Sequence, residues 1–327
     1  MNILIVGGAG YIGSHAARLL AELGHKPVIF DNLSTGHKET VREFQFIKGD
    51  LRKPADIKKA LKSCSIDAVM HFSALALVGE SMEKPALYYE NNITGGLNLL
   101  NAMIEAGVKK IIFSSSAAVY GIPKKVPVEE NHPLNPINPY GNTKLGFERI
   151  LEDYRNAYGI GFTALRYFNA AGASLDAGIG ENHPVETHLI PRAILSAMGK
   201  LKDFCIFGTD YPTKDGTCVR DYVHVLDLAQ AHILALEKLK LGRGAVYNLG
   251  SEKGFSVKEV VDLTQEVTGR KIKARYGRRR PGDPPVLVAS SKKIKKELGW
   301  NPAYSDLKTI ITTAYNWHMS DDYRLED

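Results

Sequence analysis

The strongest constraint on this chain lies at its start, where Asn2-Ile3-Leu4-Ile5-Val6 runs straight into Gly7-Gly8-Ala9-Gly10-Tyr11-Ile12-Gly13 and then into a helical pattern. A short, uninterrupted apolar run reads as a strand buried on both faces. Gly7, Gly10 and Gly13, three residues apart, suit a tight turn, close approach of a diphosphate to the backbone, and close packing of helix on sheet. The helix that opens there directs free N–H groups and a partial positive charge at the same point. Such glycines alone would be a weak signal. Between a strand and a helix they point to a dinucleotide.

The alternation continues downstream. Apolar runs at Pro27–Asp31, Phe44–Ile47, Ile66–Phe72 and Lys110–Ser115 are separated by helical patterns. One helix covers about Tyr11–Leu23 and stops at Gly24; another reaches about Ala106, stops at Gly107, and carries Leu97, Leu100 and Ile104 on one face. Helix after strand in this rhythm predicts a parallel sheet covered on both faces. Past about residue 170, glycine and proline become frequent. Gly172–Pro184 reads as a long loop, with helices over about Pro191–Met198, Val225–Leu239 and Val257–Val267 and short strands in the tail. The expected fold is α/β: a Rossmann-type doubly wound parallel sheet over residues 1–170, carrying cofactor and catalytic groups. A smaller mixed α/β substrate-binding domain follows over 171–327, with some chain crossing back to the first. No internal repeat or low-complexity linker interrupts the pattern.

Asp31 ends the second strand, where a carboxylate accepts hydrogen bonds from ribose hydroxyls and repels a 2′-phosphate. Asn32 and Leu33 follow it with no arginine beside them, so NAD is favoured over NADP, although His37 and Lys38 lie near. Downstream, Asn138-Pro139 is a helix start, with Asn as N-cap and Pro as first helical residue. Tyr140 and Lys144 are then i and i+4 on one face. An ammonium beside a phenol lowers the phenol pKa from its usual ~10, and a phenol so adjusted is a usable general base. Ser116 follows the strand Lys110–Ser115, at the carboxyl edge where parallel sheets place their sites. Its hydroxyl is positioned to bind the substrate oxygen that Tyr140 deprotonates.

Composition narrows the remaining classes. The net charge of +6 over 327 residues is mild, and its surplus sits late, at Arg270-Lys271, Arg278-Arg279-Arg280, Lys292-Lys293 and Lys295-Lys296. No aromatic-interleaved basic motif accompanies it, so a pocket for a small anion is favoured over nucleic acid. Cys64, Cys205 and Cys218 are scattered, odd in number and without metal-ligand spacing, so neither a disulfide framework nor a metal site is expected. The first apolar run is too short for a signal peptide, and no stretch approaches the ~20 apolar residues of a membrane span. A soluble, cytoplasmic protein is expected.

Longer motifs carry a resemblance along essentially the whole chain. They are Gly-Gly-Ala-Gly-Tyr-Ile-Gly-Ser-His at 7–15, Asp31-Asn32-Leu33, Val78-Gly79-Glu80-Ser81, Ser114-Ser115-Ser116 and Tyr140 through Lys144. Further on come Leu165-Arg166-Tyr167-Phe168-Asn169, Asp210-Tyr211-Pro212-Thr213, Asp215 through Val225, and Arg280-Pro281-Gly282-Asp283. The sequence resembles the extended short-chain dehydrogenase/reductase family, and within it the UDP-glucose (UDP-galactose) 4-epimerases. The resemblance implies NAD as cofactor, UDP-glucose and UDP-galactose as substrates, and a homodimer formed through the helix bearing Tyr140 and the one ending near Gly107. It places cofactor contacts on Gly7, Gly10, Tyr11, Ile12, Gly13, Asp31, Asn32, Leu33, Ser34, Thr35, Gly36, Asp50, Leu51, Phe72, Ser73, Ala74, Ala76, Asn91, Ser114, Tyr140, Lys144 and Phe168. Substrate contacts fall on Ser116, Tyr140, Asn169, His188, Leu189, Cys205, Phe207, Arg220, Tyr222, Arg280, Asp283 and Leu287. Arginines suit a diphosphate, Phe207 offers a face for uracil, and Asp283 an acceptor for ribose. Two positions depart from the pattern. Ala76 stands where many members carry lysine, and Leu287 is intermediate in size at the position that governs entry of N-acetylated sugars.

The implied reaction begins with Tyr140 as tyrosinate taking the proton of the sugar 4-hydroxyl. The C4 hydride goes to NAD and returns to the other face of a transient 4-keto sugar that has swung about its bond to the diphosphate. A 4,6-dehydratase shares the first step but needs an acid and a base for elimination. Members of that kind place Asp-Glu after the serine or threonine, where this chain has Ala117-Ala118. A 4-epimerase or decarboxylase acting on UDP-glucuronate remains open, as does another nucleotide-sugar enzyme of the family. From a different class, a non-catalytic NAD-binding scaffold or sensor would be free to lose the Tyr140/Lys144 pair kept here.

Overall fold

In the computed structural model the first strand is β1 (Asn2–Val6), every inner residue of which is buried. The structure describes residues 1–280 and 282–323, so Pro281 of the Arg280–Asp283 motif lies outside the described residues. The chain continues through α1 (Tyr11–Glu22), β2 (Lys26–Asp31), β3 (Gln45–Lys48), α2 (Pro54–Lys62), β4 (Ala68–His71), α3 (Val78–Glu83), α4 (Pro85–Tyr88) and α5 (Gly95–Glu105). β5 (Lys110–Ser116), α6 (Pro139–Tyr158), β6 (Gly161–Tyr167), β7 (Asn169–Ala171) and α7 (Leu189–Ala197) follow. The remainder is β8 (Phe204–Phe207), β9 (Val219–His224), α8 (Val225–Lys238), β10 (Gly244–Leu249), β11 (Gly254–Ser256), α9 (Val257–Thr268), β12 (Ala274–Gly277), β13 (Val286–Leu287), α10 (Lys292–Leu298) and α11 (Leu307–Met319).

Seven parallel strands form the main sheet in the order β10-β6-β5-β4-β1-β2-β3. Alternation along β1 shows why it is covered twice. Ile3 and Ile5 face one layer with Ala17 and Leu20 of α1 and Leu228 and Ala231 of α8. Leu4 and Val6 face the other with Ile57 of α2, Leu99 of α5, and Phe147 and Leu151 of α6. The chain leaves β1 toward β2 on one side and β4 lies on the other, so a crevice opens at the carboxyl ends of these strands.

The elements beyond β6 build smaller clusters. Ile190 and Ile194 of α7 pack with Val260 of α9 and Ile310 and Ile311 of α11, under Tyr222 of β9. β9 pairs with β7, β11 and β13, and β8 pairs with β12. β10 and α8 belong to the first sheet and its cover although they lie well past residue 170.

Several elements differ from the sequence expectation. β5 includes Ser116 as its last residue rather than ending before it. The helix expected up to Ala106 is entered through a π-helical turn at Tyr89–Thr94, and of its stripe Leu100 is in the core while Leu97 and Ile104 are half-buried. The tail holds two helices that were not anticipated. α10 is mostly lysine with only Ile294 and Leu298 turned inward, and α11 is rich in β-branched residues. α11 lacks strong intrinsic helix preference, and α10, though made of good helix formers, is only seven residues long, so tertiary burial decides both.

Candidate active site

The glycine turn does three separate things. Gly7 has φ +78°, and a Cβ there would lie 2.5 Å from the Ser73 nitrogen. A Cβ on Gly13 would lie 2.4 Å from the Gly7 carbonyl oxygen, so Gly13 permits helix to meet strand. Gly10 is different: only the Gly7 oxygen, at 3.3 Å, would touch its Cβ, which leaves the mouth of α1 open toward the crevice. The first-turn N–H groups of Tyr11 and Ile12 are free of intrahelical partners by position. The Tyr11 phenol turns away and donates to the Gly172 carbonyl at 2.6 Å.

Asp31 is nearly buried, and its two carboxylate oxygens already accept the N–H of Ala9 at 3.0 Å and of Leu33 at 2.8 Å. Burial raises its pKa against those bonds. The carboxylate therefore ties the glycine turn to the β2 exit, and its oxygens keep lone pairs that a ribose hydroxyl could use. Leu33 takes φ +62°, Asn32 accepts the Ser34 N–H at 2.9 Å, and Gly36 is pressed against Ala9, so the loop Asn32–Gly36, with Thr35 exposed, folds beside the turn. Asp50 is held by Arg52 at 2.7 and 3.0 Å, which keeps its pKa well below the usual carboxylate range. A cleft lined by Gly7, Asp31, Asn32, Asp50, Leu51, Ser73 and Asn91 joins these groups. Phe72 and Ser73 close it by donating to the Val6 carbonyl, Ala74 is half-buried beyond them, and Ala76 is exposed. A backbone cradle, a carboxylate at the second strand end and free helical N–H groups together fit NAD.

Tyr140, Lys144 and Ser116 come together at the β5 edge. Asn138 caps α6 by accepting the Gly141 N–H at 2.8 Å, with Pro139 in the first turn, as the sequence predicts. Gly141 lets the helix approach: a Cβ there would lie 2.6 Å from the Ala118 carbonyl. Ser116 lies close enough to the buried Tyr140 phenol to counter the effect of burial on it, and its hydroxyl accepts the Ala118 N–H at 3.1 Å. Lys144 Nζ donates to the Ser114 carbonyl at 2.7 Å and sits 4.9 Å from the Phe113 ring centre and 5.8 Å from that of Tyr140. Burial draws its pKa down to about 7, with Glu148 opposing. The expectation of a lowered Tyr140 pKa needs correction for this structure. Burial raises it, and the neighbouring Ser116 is what pulls it back.

A scan against family descriptions matches residues 3–250 to the NAD dependent epimerase/dehydratase family. The chain is 51% identical to the UDP-glucose 4-epimerase of Lactobacillus helveticus over 329 aligned positions, covering 100% of both. The crystal structure of UDP-glucose 4-epimerase from Brucella ovis in complex with NAD superposes with a TM-score of 0.93 at 49% identity, over 96% of this chain and 97% of that one. That from Bifidobacterium longum in complex with NAD+ and UDP gives 0.94 at 37%, over 98% and 99%. The chain belongs to the NAD-dependent epimerase/dehydratase family. Its members bind NAD, and the Rossmann-type fold and the cofactor expectation hold.

On the substrate side of this epimerase-family site, Arg220 and Asp283 are paired at 2.7 Å, and Arg220 also donates to the Val219 and Pro284 carbonyls at 2.8 and 2.9 Å. The two residues stand as a preformed ion pair rather than as the separate clamp and acceptor the sequence suggests. Arg280 lies 4.4 Å over Phe207, covering one face of the ring expected to receive uracil. Cys205 is two residues before it on β8, and Tyr222 is buried in the α7–α9–α11 cluster. Asn169 donates to the Asp221 carbonyl at 2.7 Å, and Leu287 and Phe168 pack on the same cluster as Tyr120 and Leu145. His188 and Leu189 open α7, but the His188 ring is turned onto Glu181.

Sequence reasoning missed three groups. Asn92 accepts the Leu75 N–H at 2.9 Å and donates to the Leu75 carbonyl and Thr143 hydroxyl at 3.1 and 3.0 Å, pinning the Phe72–Leu77 loop to the first turns of α6. Its only local signal is an Asn repeated at Asn91-Asn92. Glu148, one turn past Lys144, accepts from Ser115 at 2.5 Å and from Arg166 at 2.9 and 2.5 Å. Arg166 in turn donates to Tyr120 at 2.9 Å, and Tyr120 to Asn248 of β10 at 2.7 Å. The spacing Tyr140, Lys144, Glu148 was legible as one helical face. Thirdly, Glu181, His183, Glu186 and His188 gather before α7; their Glu-x-His-x-x-Glu-x-His spacing is visible in the sequence.

Proposed function

We propose that this chain is a UDP-glucose 4-epimerase that interconverts UDP-glucose and UDP-galactose. The observation that carries the reading is the convergence of Tyr140, Ser116 and Lys144 beside the glycine cradle, with Ser116 drawing the phenol pKa down against burial and Lys144 Nζ fixed on the Ser114 carbonyl. When bound, NAD supplies the hydride acceptor for C4 and gives the hydride back. Tyr140 takes the 4-hydroxyl proton in one half-reaction and returns it in the other. Ser116 holds the same oxygen and lowers the cost of the buried phenolate. Lys144 adds positive charge to that buried region, and its hydrogen bond to the Ser114 carbonyl fixes where the charge sits. Arg220 and Arg280 suit the diphosphate, while Phe168 and Leu287 give the hexose an uncharged wall on which to turn.

The division into a cofactor part over 1–170 and a substrate part over 171–327, the homodimer and the cytoplasmic location belong to the same proposal. Among the described residues no helix is long and apolar enough to cross a membrane. Exposed Met82, Tyr89 and Tyr158 beside α5 and α6 support pairing through those helices, which light scattering of the eluting protein measures.

The test is conversion of UDP-galactose by the purified protein without added cofactor, with Tyr140→Phe alongside. UDP-glucose from the native protein and at least roughly a hundredfold less from the variant is expected. No conversion, with NAD found in the protein, would overturn the substrate assignment and redirect it to UDP-glucuronate or N-acetylated sugars.

A further inference from the structure

The long loop between β7 and α7 folds back so that Glu181, His183, Glu186 and His188 each turn one donor atom inward, all within 4.8 Å of one another. His183 Nδ1 is 3.3 Å from Glu181 Oε1 and 3.5 Å from Glu186 Oε2. His188 Nδ1 is 3.7 Å from Glu186 Oε1 and hydrogen-bonded to Glu181. Donors ~2.0–2.1 Å from a tetrahedral ion stand about 3.3–3.4 Å apart. The two His183 separations already approximate edges of such a tetrahedron, and His188 approaches the other oxygen of the Glu186 carboxylate.

We propose that this loop is a binding site for one divalent transition-metal ion of the zinc class, held by Nδ1 of His183 and His188 and by one carboxylate oxygen each from Glu181 and Glu186. Two imidazoles and two carboxylates suit zinc, cobalt or nickel, and an ion such as magnesium or calcium prefers oxygen alone. Two carboxylates balance the charge of one divalent ion, and two neutral imidazoles complete the donor set.

The surroundings are those of a supported site. Glu181 is 3% exposed, and its carbonyl accepts Trp317 Nε1 at 2.8 Å. Gly180 has no room for a side chain against the Trp317 ring, so the floor cannot shift. The Glu186 carboxylate also accepts the His188 N–H at 2.7 Å, and its carbonyl accepts Arg192 at 3.0 Å. Tyr11, His318 and Tyr323 are the other titratable groups close enough to feel both carboxylates. Tyr11 bonds Gly172 at the start of this loop, and His37 of the cofactor-side loop contacts the Asn182 carbonyl at 3.0 Å. A bound ion therefore braces the segment that runs from the cofactor cradle to α7.

The test uses NAD-loaded protein stripped with a chelator and titrated with Co2+, then with Zn2+. One Co2+ per chain, with visible bands of four-coordinate intensity and displacement by Zn2+, is the expected result. His183→Gln and Glu186→Gln should each weaken binding by at least roughly tenfold to a hundredfold while NAD stays bound. Six-coordinate Co2+ spectra or undiminished affinity in both variants would overturn the site. Should His183→Gln fail to fold, Glu186→Gln and the Co2+ spectrum of the native protein still decide it.

Discussion

Glu148→Gln is the substitution that most directly tests how the catalytic helix is held. Glu148 and Arg166 are almost wholly buried, and two N–H groups of Arg166 meet the carboxylate at 2.9 and 2.5 Å. Glutamine keeps the volume but turns an amide toward one of those donors and removes the charge. Arg166 would then keep one bond to the glutamine oxygen, the Tyr120 hydroxyl at 2.9 Å and a long contact to the Glu130 carbonyl at 3.4 Å, with no carboxylate to balance its charge. Breaking one side of a buried pair costs about 3–5 kcal/mol, because the surviving charge stays desolvated. Arg166→Met in the same chain removes that charge, so the double variant should be less destabilised than the sum of the singles by at least about 2 kcal/mol. Urea unfolding of the NAD-loaded protein, with an unchanged m-value, reads both quantities. A second readout follows from Lys144. Glu148 is the charge that raises the Lys144 pKa against burial, so its loss moves that pKa further below about 7. Activity that needs the ammonium must then fail at lower pH on the alkaline side. A loss under about 1 kcal/mol, additive singles and an unmoved alkaline limb would together refute the argument.

Three further outcomes are expected. Gly10→Ala should leave the melting temperature nearly unchanged yet lower NAD retention at least roughly tenfold, whereas Gly13→Ala, whose Cβ would stand 2.4 Å from the Gly7 carbonyl, should destabilise the fold itself; equal behaviour of the two would contradict the division of roles. Asn92→Ala removes the bonds from Leu75 to Thr143, costing about 1–3 kcal/mol and lowering kcat more than it raises KM, as a steady-state comparison reports. Asp221, completely buried, has its pKa raised from 3.8 to about 6 by burial. Between those values the native state holds a proton that the unfolded chain has released, so this group's contribution to stability falls as pH rises through the window, by up to about 3 kcal/mol. Unfolding at pH values either side should show that slope in the native protein and not in Asp221→Asn.

How much was legible follows from how local each cause is. The β1–turn–α1 unit and the Asn138-Pro139 helix start depend on neighbours within a few residues, and the sequence reads them directly. The role of Gly10 was visible as spacing, but its difference from Gly7 and Gly13 appears only when their surroundings are known. Asn92 and Asn248 act on partners 17 to 128 positions away, and nothing in their own segments marks them; Arg166 sits in a visible motif, but its partners Glu148 and Tyr120 lie 18 and 46 positions off. The same distance hid the Arg220–Asp283 pair, 63 positions apart, although each residue was singled out alone. β10 joins the first sheet for a reason no local pattern holds: it extends the β6 edge with Leu249 and Tyr247 in the core.

These long-range contacts share a geometry that bears on the chemistry. Ser116 is flanked by Ser115, which is bonded to Glu148, and by the turn ending at Tyr120, which is bonded to Arg166 and Asn248. One ionic network thus grips the chain on both sides of the serine and also fixes the helix that carries Tyr140 and Lys144. A reaction that delivers hydride to opposite faces of a rotating sugar requires the proton-handling groups to stay put while the sugar moves. Next to Arg220, Asp221 accepts N–H groups of Ser251, Glu252 and Ala289 at 2.7, 3.3 and 3.1 Å, anchoring the arginine's backbone in the same way. Phe168 and Leu287, the hexose wall of the proposed reading, pack their side chains on the apolar cluster between those two anchored ends. On that reading, rigidity is concentrated at the diphosphate and at the C4 oxygen, and neither wall residue offers a charge that would hold one face of the ring.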